Sequence, residues 1–165
     1  MRHLDLFEGF TNKYFPKELG DFVYHQTCLP NAQEILKDGF KTGYELKKGE
    51  HNSGIFFSAT FNGQEGAMYA RCDGKSDKLA MVEVDVKGLK LLDSRTLPDD
   101  PNLPSFKQPS YTTMRKIKEN GVFPNGYDGM VNYGYTGGIY EIALKPEIAN
   151  ERITGRLLTD KGKEI

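Results

Sequence analysis

Hydrophobic and polar residues alternate most regularly between Leu79 and Val86, where Ala80, Val82, Val84 and Val86 point one way and Glu83 and Asp85 the other. A repeat of two marks a strand with one buried face, so the valines are predicted inside and both acids in water. Phe22-Val23-Tyr24-His25-Gln26-Thr27 carries the same period: Val23, His25 and Thr27 share one face, and Phe22, Tyr24 and Gln26 the other. Gly54-Ile55-Phe56-Phe57-Ser58 reads as a short buried strand, and Leu89 to Leu92 and Met130-Val131 as two more. In the last strand, Ile139 to Leu144, Tyr140, Ile142 and Leu144 share one face while Ile139, Glu141 and Ala143 share the other.

The period lengthens to that of a helix over about residues 30 to 38, where Pro30 stands in the first turn, Ala32, Ile35 and Leu36 form an apolar stripe, and Gly39 follows. Gln64 to Arg71, with Ala67, Met68, Tyr69 and Ala70, reads as a short helix, and Tyr111 to Asn120 as another that Gly121 stops. Between these lie an exposed loop from Thr42 to Ser53, a long irregular crossing marked by Pro101, Pro104 and Pro109, a turn at Gly126-Tyr127-Asp128-Gly129, and a glycine-aromatic loop from Tyr133 to Gly138. Residues 1–20 read as an arm or short helix, and residues 154–165 as a polar tail. The irregular order of strands and helices excludes a parallel doubly wound sheet. The expectation is a single α+β domain over residues 1–165 with mainly antiparallel strands.

Composition narrows the function classes. With 38% apolar and 27% charged residues, and no apolar run near the roughly eighteen that a membrane helix needs, no membrane partner is expected. The 22 basic and 23 acidic residues leave a net charge of −1, which gives no global field toward nucleic acid or lipid. Acids within Met1 to Glu8 stand where a secretory peptide would hold its apolar core, so a cytoplasmic setting is expected. Cys28 and Cys72 are too few for a disulfide framework and read as reduced thiols, and His3, His25 and His51 lack metal-ligand spacing.

Two residues stand out chemically. Glu141 is a carboxylate held on a strand beside a glycine-rich loop, placed either to orient a hydroxyl and stabilise a developing cation, or merely to be solvated at an edge. His25 is either a ligand-binding imidazole or a packing residue. Neither Cys28 nor Ser58 pairs with a histidine in a nucleophile's pattern. Lys47 and Lys48 could meet a pyrophosphate or a nucleic acid, or simply line a solvated loop.

Four motifs in order carry a resemblance. Tyr24-His25-Gln26-Thr27, followed by Asn31 to Phe40 with its Ile35-Leu36-Lys37-Asp38-Gly39-Phe40, resembles the opening of the ADP-ribosyltransferase fold in its histidine-tyrosine-glutamate branch, shared by diphtheria-type toxins and poly-ADP-ribose polymerases. Gly54-Ile55-Phe56-Phe57-Ser58 is similar to that branch's second motif strand, and Ala67-Met68-Tyr69-Ala70 to the helix that follows it. Gly126 to Val131 and Tyr140 to Pro146 resemble the ending found in phage and bacterial members.

That resemblance implies split antiparallel β-sheets with flanking short helices, and an enzyme that transfers ADP-ribose from NAD, as substrate, to a protein or nucleic-acid acceptor with release of nicotinamide. It implies that His25 bonds the adenosine ribose, that Thr27 holds that strand or ribose, and that Gln26 presents backbone groups to the nicotinamide amide. Phe56 and Tyr69 would sandwich the nicotinamide ring, Ser58 would touch its ribose, and Glu141 would stabilise the oxocarbenium-like transition state. Tyr133, Tyr135 and Thr136 would form the acceptor loop, or be turn residues that merely pack. Gln26 stands where the family has glycine and Phe56 where it has tyrosine, so a module that binds NAD or ADP-ribose without turnover is the alternative. Ile139, two before Glu141, disfavours arginine as the acceptor. An RNA 2′-phosphotransferase would need several arginines, of which only Arg71 and Arg95 fall near the expected cleft.

Overall fold

The computed structural model describes residues 18–42, 53–60, 78–98, 101–102, 111–134 and 137–165. Its elements in chain order are β1 (Phe22–Cys28), α1 (Leu29–Asp38), β2 (Ile55–Phe57), β3 (Leu79–Asp85), β4 (Leu91–Asp93), a single 3-10 turn at Ser94–Thr96, α2 (Tyr111–Asn120), β5 (Gly129–Tyr133), β6 (Ile139–Leu144), α3 (Pro146–Glu151) and β7 (Ile153–Leu158). This is a mixed α+β arrangement with two sheets, ordered β1-β3-β7 and β2-β6-β5-β4. Every neighbouring pair is antiparallel except β4 with β5. The expected helix at 64–71, with Tyr69, and the expected loop at 42–53, with Lys47 and Lys48, lie largely or wholly outside the described residues.

The alternation read from the sequence sets the main core. Val23, Ala80, Val82, Val84 and Val86 from the first sheet meet Ile55, Phe57, Val131, Ile142 and Leu144 from the second, all at most 4% exposed, and Ala32 of α1 closes the same cluster. A second cluster lies on the far face of the four-stranded sheet, where Met114 and Ile117 of α2 cover Leu92, Met130 and Ala143. Sequestering a side chain such as Ile117 contributes about 2 kcal/mol, so α2 is held by its apolar stripe and not by helix propensity alone.

Among the described residues one backbone pair joins the two sheets. Tyr24 N–H donates to the Ser58 carbonyl at 3.0 Å, and Ser58 N–H donates to the Tyr24 carbonyl at 2.8 Å. Beyond that bridge β1 and β2 are no longer paired.

Gly129 sits where β5 passes between β4 and β6. A methyl group there would run into the Ala143 carbonyl oxygen and lie 2.7 Å from Leu144, so only glycine allows this approach. Gly39 ends α1 with φ 82°, a conformation that disfavours other residues. Directly after it, Asn150 of α3 accepts from Phe40 N–H at 2.6 Å and donates to the Phe40 carbonyl at 3.3 Å.

Several expectations are corrected. Glu83, expected in water, is 2% exposed because β3 is the central strand of its sheet. Arg156 pairs with it at 3.2 Å and the Thr154 hydroxyl donates to it at 3.1 Å. Both partners come from β7, inside the stretch read as a polar tail, so that tail contains a strand of the core sheet. Tyr140, which alternation puts on one face with Ile142 and Leu144, is 42% exposed while those two are fully buried, since the β5–β6 register shifts near it. Cys28, read as a reduced thiol, is buried and disulfide-bonded, a pairing that spacing along the chain does not reveal; Cys72 lies outside the described residues. No helix among the described residues is long and apolar enough to cross a membrane.

Candidate functional site

Where β1 separates from β2, His25 meets the backbone of Phe56, while the Phe56 ring and Glu141 lie on the other face of the second sheet. His25 lies on the core-facing side of β1, in register with Val82 of β3. Its ring meets Phe40 edge-on at 5.2 Å and Phe57 at 5.9 Å, and those two phenyl rings meet each other at 5.5 Å. The Nδ1–H of His25 donates to the carbonyl of Phe56 at 2.8 Å. A carbonyl only accepts, so this bond fixes the tautomer and leaves Nε2 as an acceptor with no partner among the described residues. Burial lowers the imidazole pKa and outweighs the Phe56 bond, which acts the other way.

Phe56 connects this imidazole to the carboxylate. The register Phe56↔Ala143 and Ala143↔Met130 puts the phenyl ring on the α2 side of the second sheet. Glu141, two residues from Ala143, projects to that same side, about 7 Å along the strand. One step beyond Phe57↔Ile142, Ser58 falls level with Glu141 while its backbone is bonded to Tyr24. The alternation along β6 thus placed Glu141 opposite the core, but that face is covered by α2, and the carboxylate is only 17% exposed.

Two side chains that the sequence reading did not single out hold Glu141. Lys118 of α2 lies with Nζ 3.2 Å from Oε1, and Asn132, in register on β5, donates from Nδ2 at 3.5 Å. The same Lys118 ammonium stands 5.2 Å from the centre of the Phe56 ring, within cation–π range. A signal for Lys118 exists in the sequence. Met114, Ile117 and Lys118 share the i, i+3, i+4 stripe of α2, so a lysine stands on the face that covers the sheet.

Gln26 is inside β1, with its side chain on the face opposite His25. Because Tyr24 turns its backbone groups toward β2, Gln26, two residues on, turns its N–H and carbonyl toward the same edge, past the last bond between the strands. Thr27 shares the His25 face, and its hydroxyl lies 3.5 Å from the Asn31 amide. Tyr133 ends β5 instead of opening a loop. It is 6% exposed, its hydroxyl donates to Glu18 at 3.0 Å, and its ring lies 3.8 Å from the Arg95 guanidinium. The guanidinium and this hydroxyl hold the Glu18 carboxyl down at about 2, and Arg95 is further engaged by Asp93 at 2.6 Å. Tyr69, Tyr135, Thr136 and Arg71 lie outside the described residues. Among the described residues no group of three or more histidine, cysteine, aspartate or glutamate side chains could hold a metal ion.

The arrangement offers an imidazole acceptor and a strand edge with open backbone groups on the core side, and an aromatic face beside a partly buried carboxylate on the α2 side of the second sheet. No family model matches this chain, and no match was found among curated proteins or among solved structures.

Proposed function

We propose that this chain is an NAD-dependent mono-ADP-ribosyltransferase of the histidine-tyrosine-glutamate type, with a fold of that family. The observation that carries the reading is the line from His25 through the Phe56 carbonyl to the Phe56 ring and Glu141. In this reading Nε2 of His25 accepts from a hydroxyl of the adenosine ribose, and the Gln26 backbone bonds the nicotinamide amide through groups that any residue carries. The replacement of glycine by Gln26 is then tolerated, because its side chain lies on the other face of β1. Phe56 supplies a flat apolar surface for the nicotinamide ring. Glu141 accepts from a hydroxyl of the attached ribose. As the bond from the anomeric carbon to the ring nitrogen breaks, its electron pair leaves with nicotinamide, and the carboxylate stabilises the positive charge left on the sugar. The acceptor then attacks that carbon and loses a proton.

Labelled NAD incubated with the protein and a cell lysate tests this. Label transferred to macromolecules, with nicotinamide released, is the expected result, and no transfer and no release would sink it. One observation favours a second reading, a module that binds NAD or ADP-ribose without turnover: Lys118 already neutralises Glu141. Saturable calorimetric binding of NAD that leaves the ligand intact over hours would select this reading, and NAD consumption would exclude it.

A further inference from the structure

We propose that Lys118 is a resident cation of this site, competing with the ligand, so that a cationic aromatic ring enters by cation exchange and a neutral ring does so poorly. The inference rests on the reading of the site as an NAD cleft. The Lys118 ammonium satisfies two groups at once, the Glu141 carboxylate at 3.2 Å and the Phe56 ring at 5.2 Å. These are the two groups a pyridinium ring would need, the ring face for stacking and the carboxylate for its charge. Ligand and lysine therefore want the same place.

The anchor of Lys118 permits exchange. Its carbonyl accepts from Ser53 N–H at 3.0 Å, Ile117 beside it is fully buried, and Gly121 N–H caps the helix by donating to the Ile117 carbonyl at 3.0 Å. The backbone is thus held, while the side chain is 36% exposed and free to turn its ammonium into water. Once it leaves, Glu141 keeps only the long Asn132 contact among the described residues, so the incoming group must bring a positive charge. An oxidised nicotinamide does so and a reduced one does not.

Calorimetric titration with carba-NAD, which keeps the pyridinium and resists cleavage, and with NADH distinguishes the outcomes in the natural protein, Lys118→Met, Lys118→Gln and Lys118→Arg. Part-exposed ion pairs are weak, so removing the competing charge in Lys118→Met or Lys118→Gln should tighten carba-NAD by about threefold to tenfold. NADH should gain less, and Lys118→Arg should return carba-NAD toward the natural affinity. A purely structural lysine would move both ligands alike, and that result overturns the proposal. So does a natural protein that binds carba-NAD while both neutral variants bind it no tighter, an outcome that spares the NAD reading. Failure of every chain to bind either ligand, with unchanged melting curves, overturns both.

Discussion

The Nδ1–H of His25 and the carbonyl of Phe56 meet at 2.8 Å across the seam between two sheets. This bond ties the imidazole of β1 to the backbone of the residue whose ring faces the opposite side of the second sheet, toward Glu141. Ring orientation and tautomer are fixed together, so any shift of β2 against β1 changes the acceptor that His25 presents.

His25 should make stability and binding sensitive to acid. Burial among aromatic rings holds its pKa below the ordinary value near 6.5, so on acidification the unfolded chain takes up this proton first. The contribution to stability is therefore complete above about pH 6.5 and is lost as pH falls below it. Thermal melts between about pH 7.5 and about pH 5.5 should show a drop in Tm that is smaller in His25→Gln. Equal slopes in the two proteins would contradict the assignment.

Glu141→Gln preserves shape and removes charge. If the carboxylate stabilises the departing sugar cation, nicotinamide release should fall by about hundredfold or more, while NAD affinity changes by only several-fold. Single-turnover kinetics with labelled NAD separates the two effects. A variant that releases nicotinamide at the natural rate would remove Glu141 from the chemistry.

Gly129→Ala should be among the most damaging single changes in the described core. Its added methyl meets a carbonyl oxygen of the neighbouring strand, which cannot retreat without breaking the β5–β6 ladder. A loss of about 3 kcal/mol, or about 10 °C in Tm, is expected in calorimetry. A loss under about 1 kcal/mol would mean that the strands move apart at little cost.

Asn150→Ala removes both bonds that hold Phe40, the residue whose ring supports His25. Stability should fall by about 2 kcal/mol, seen in urea titration, and Asn150→Asp, which keeps the acceptor for Phe40 N–H, should lose less. NAD binding should weaken in step with the displaced imidazole.

Glu18 should stay ionised in unusually acid solution, because Arg95 and the Tyr133 hydroxyl both favour its charged form. Its side-chain carbon, followed by nuclear magnetic resonance, should titrate near pH 2. In Arg95→Ala that midpoint should rise toward the ordinary carboxylate range.

The sequence by itself determined the strands β1, β2, β3 and β6, the helices α1 and α2, which residues of β1 and β6 share a face, and the inward face of β3 at Ala80, Val82 and Val84. These follow from the periods of two and 3.6, which a few neighbouring residues express without reference to the rest of the chain. Only the tertiary structure decided that Glu83 is buried, that residues 153–158 complete its sheet with Arg156 as its counter-ion, and that Tyr133 is locked against Glu18. It also decided that Lys118, 23 positions before Glu141 in the numbering, ends beside that carboxylate. Periodicity says which side of an element is apolar, whereas which element lies opposite, and which charge it brings, depends on strand order and register between segments far apart in the chain.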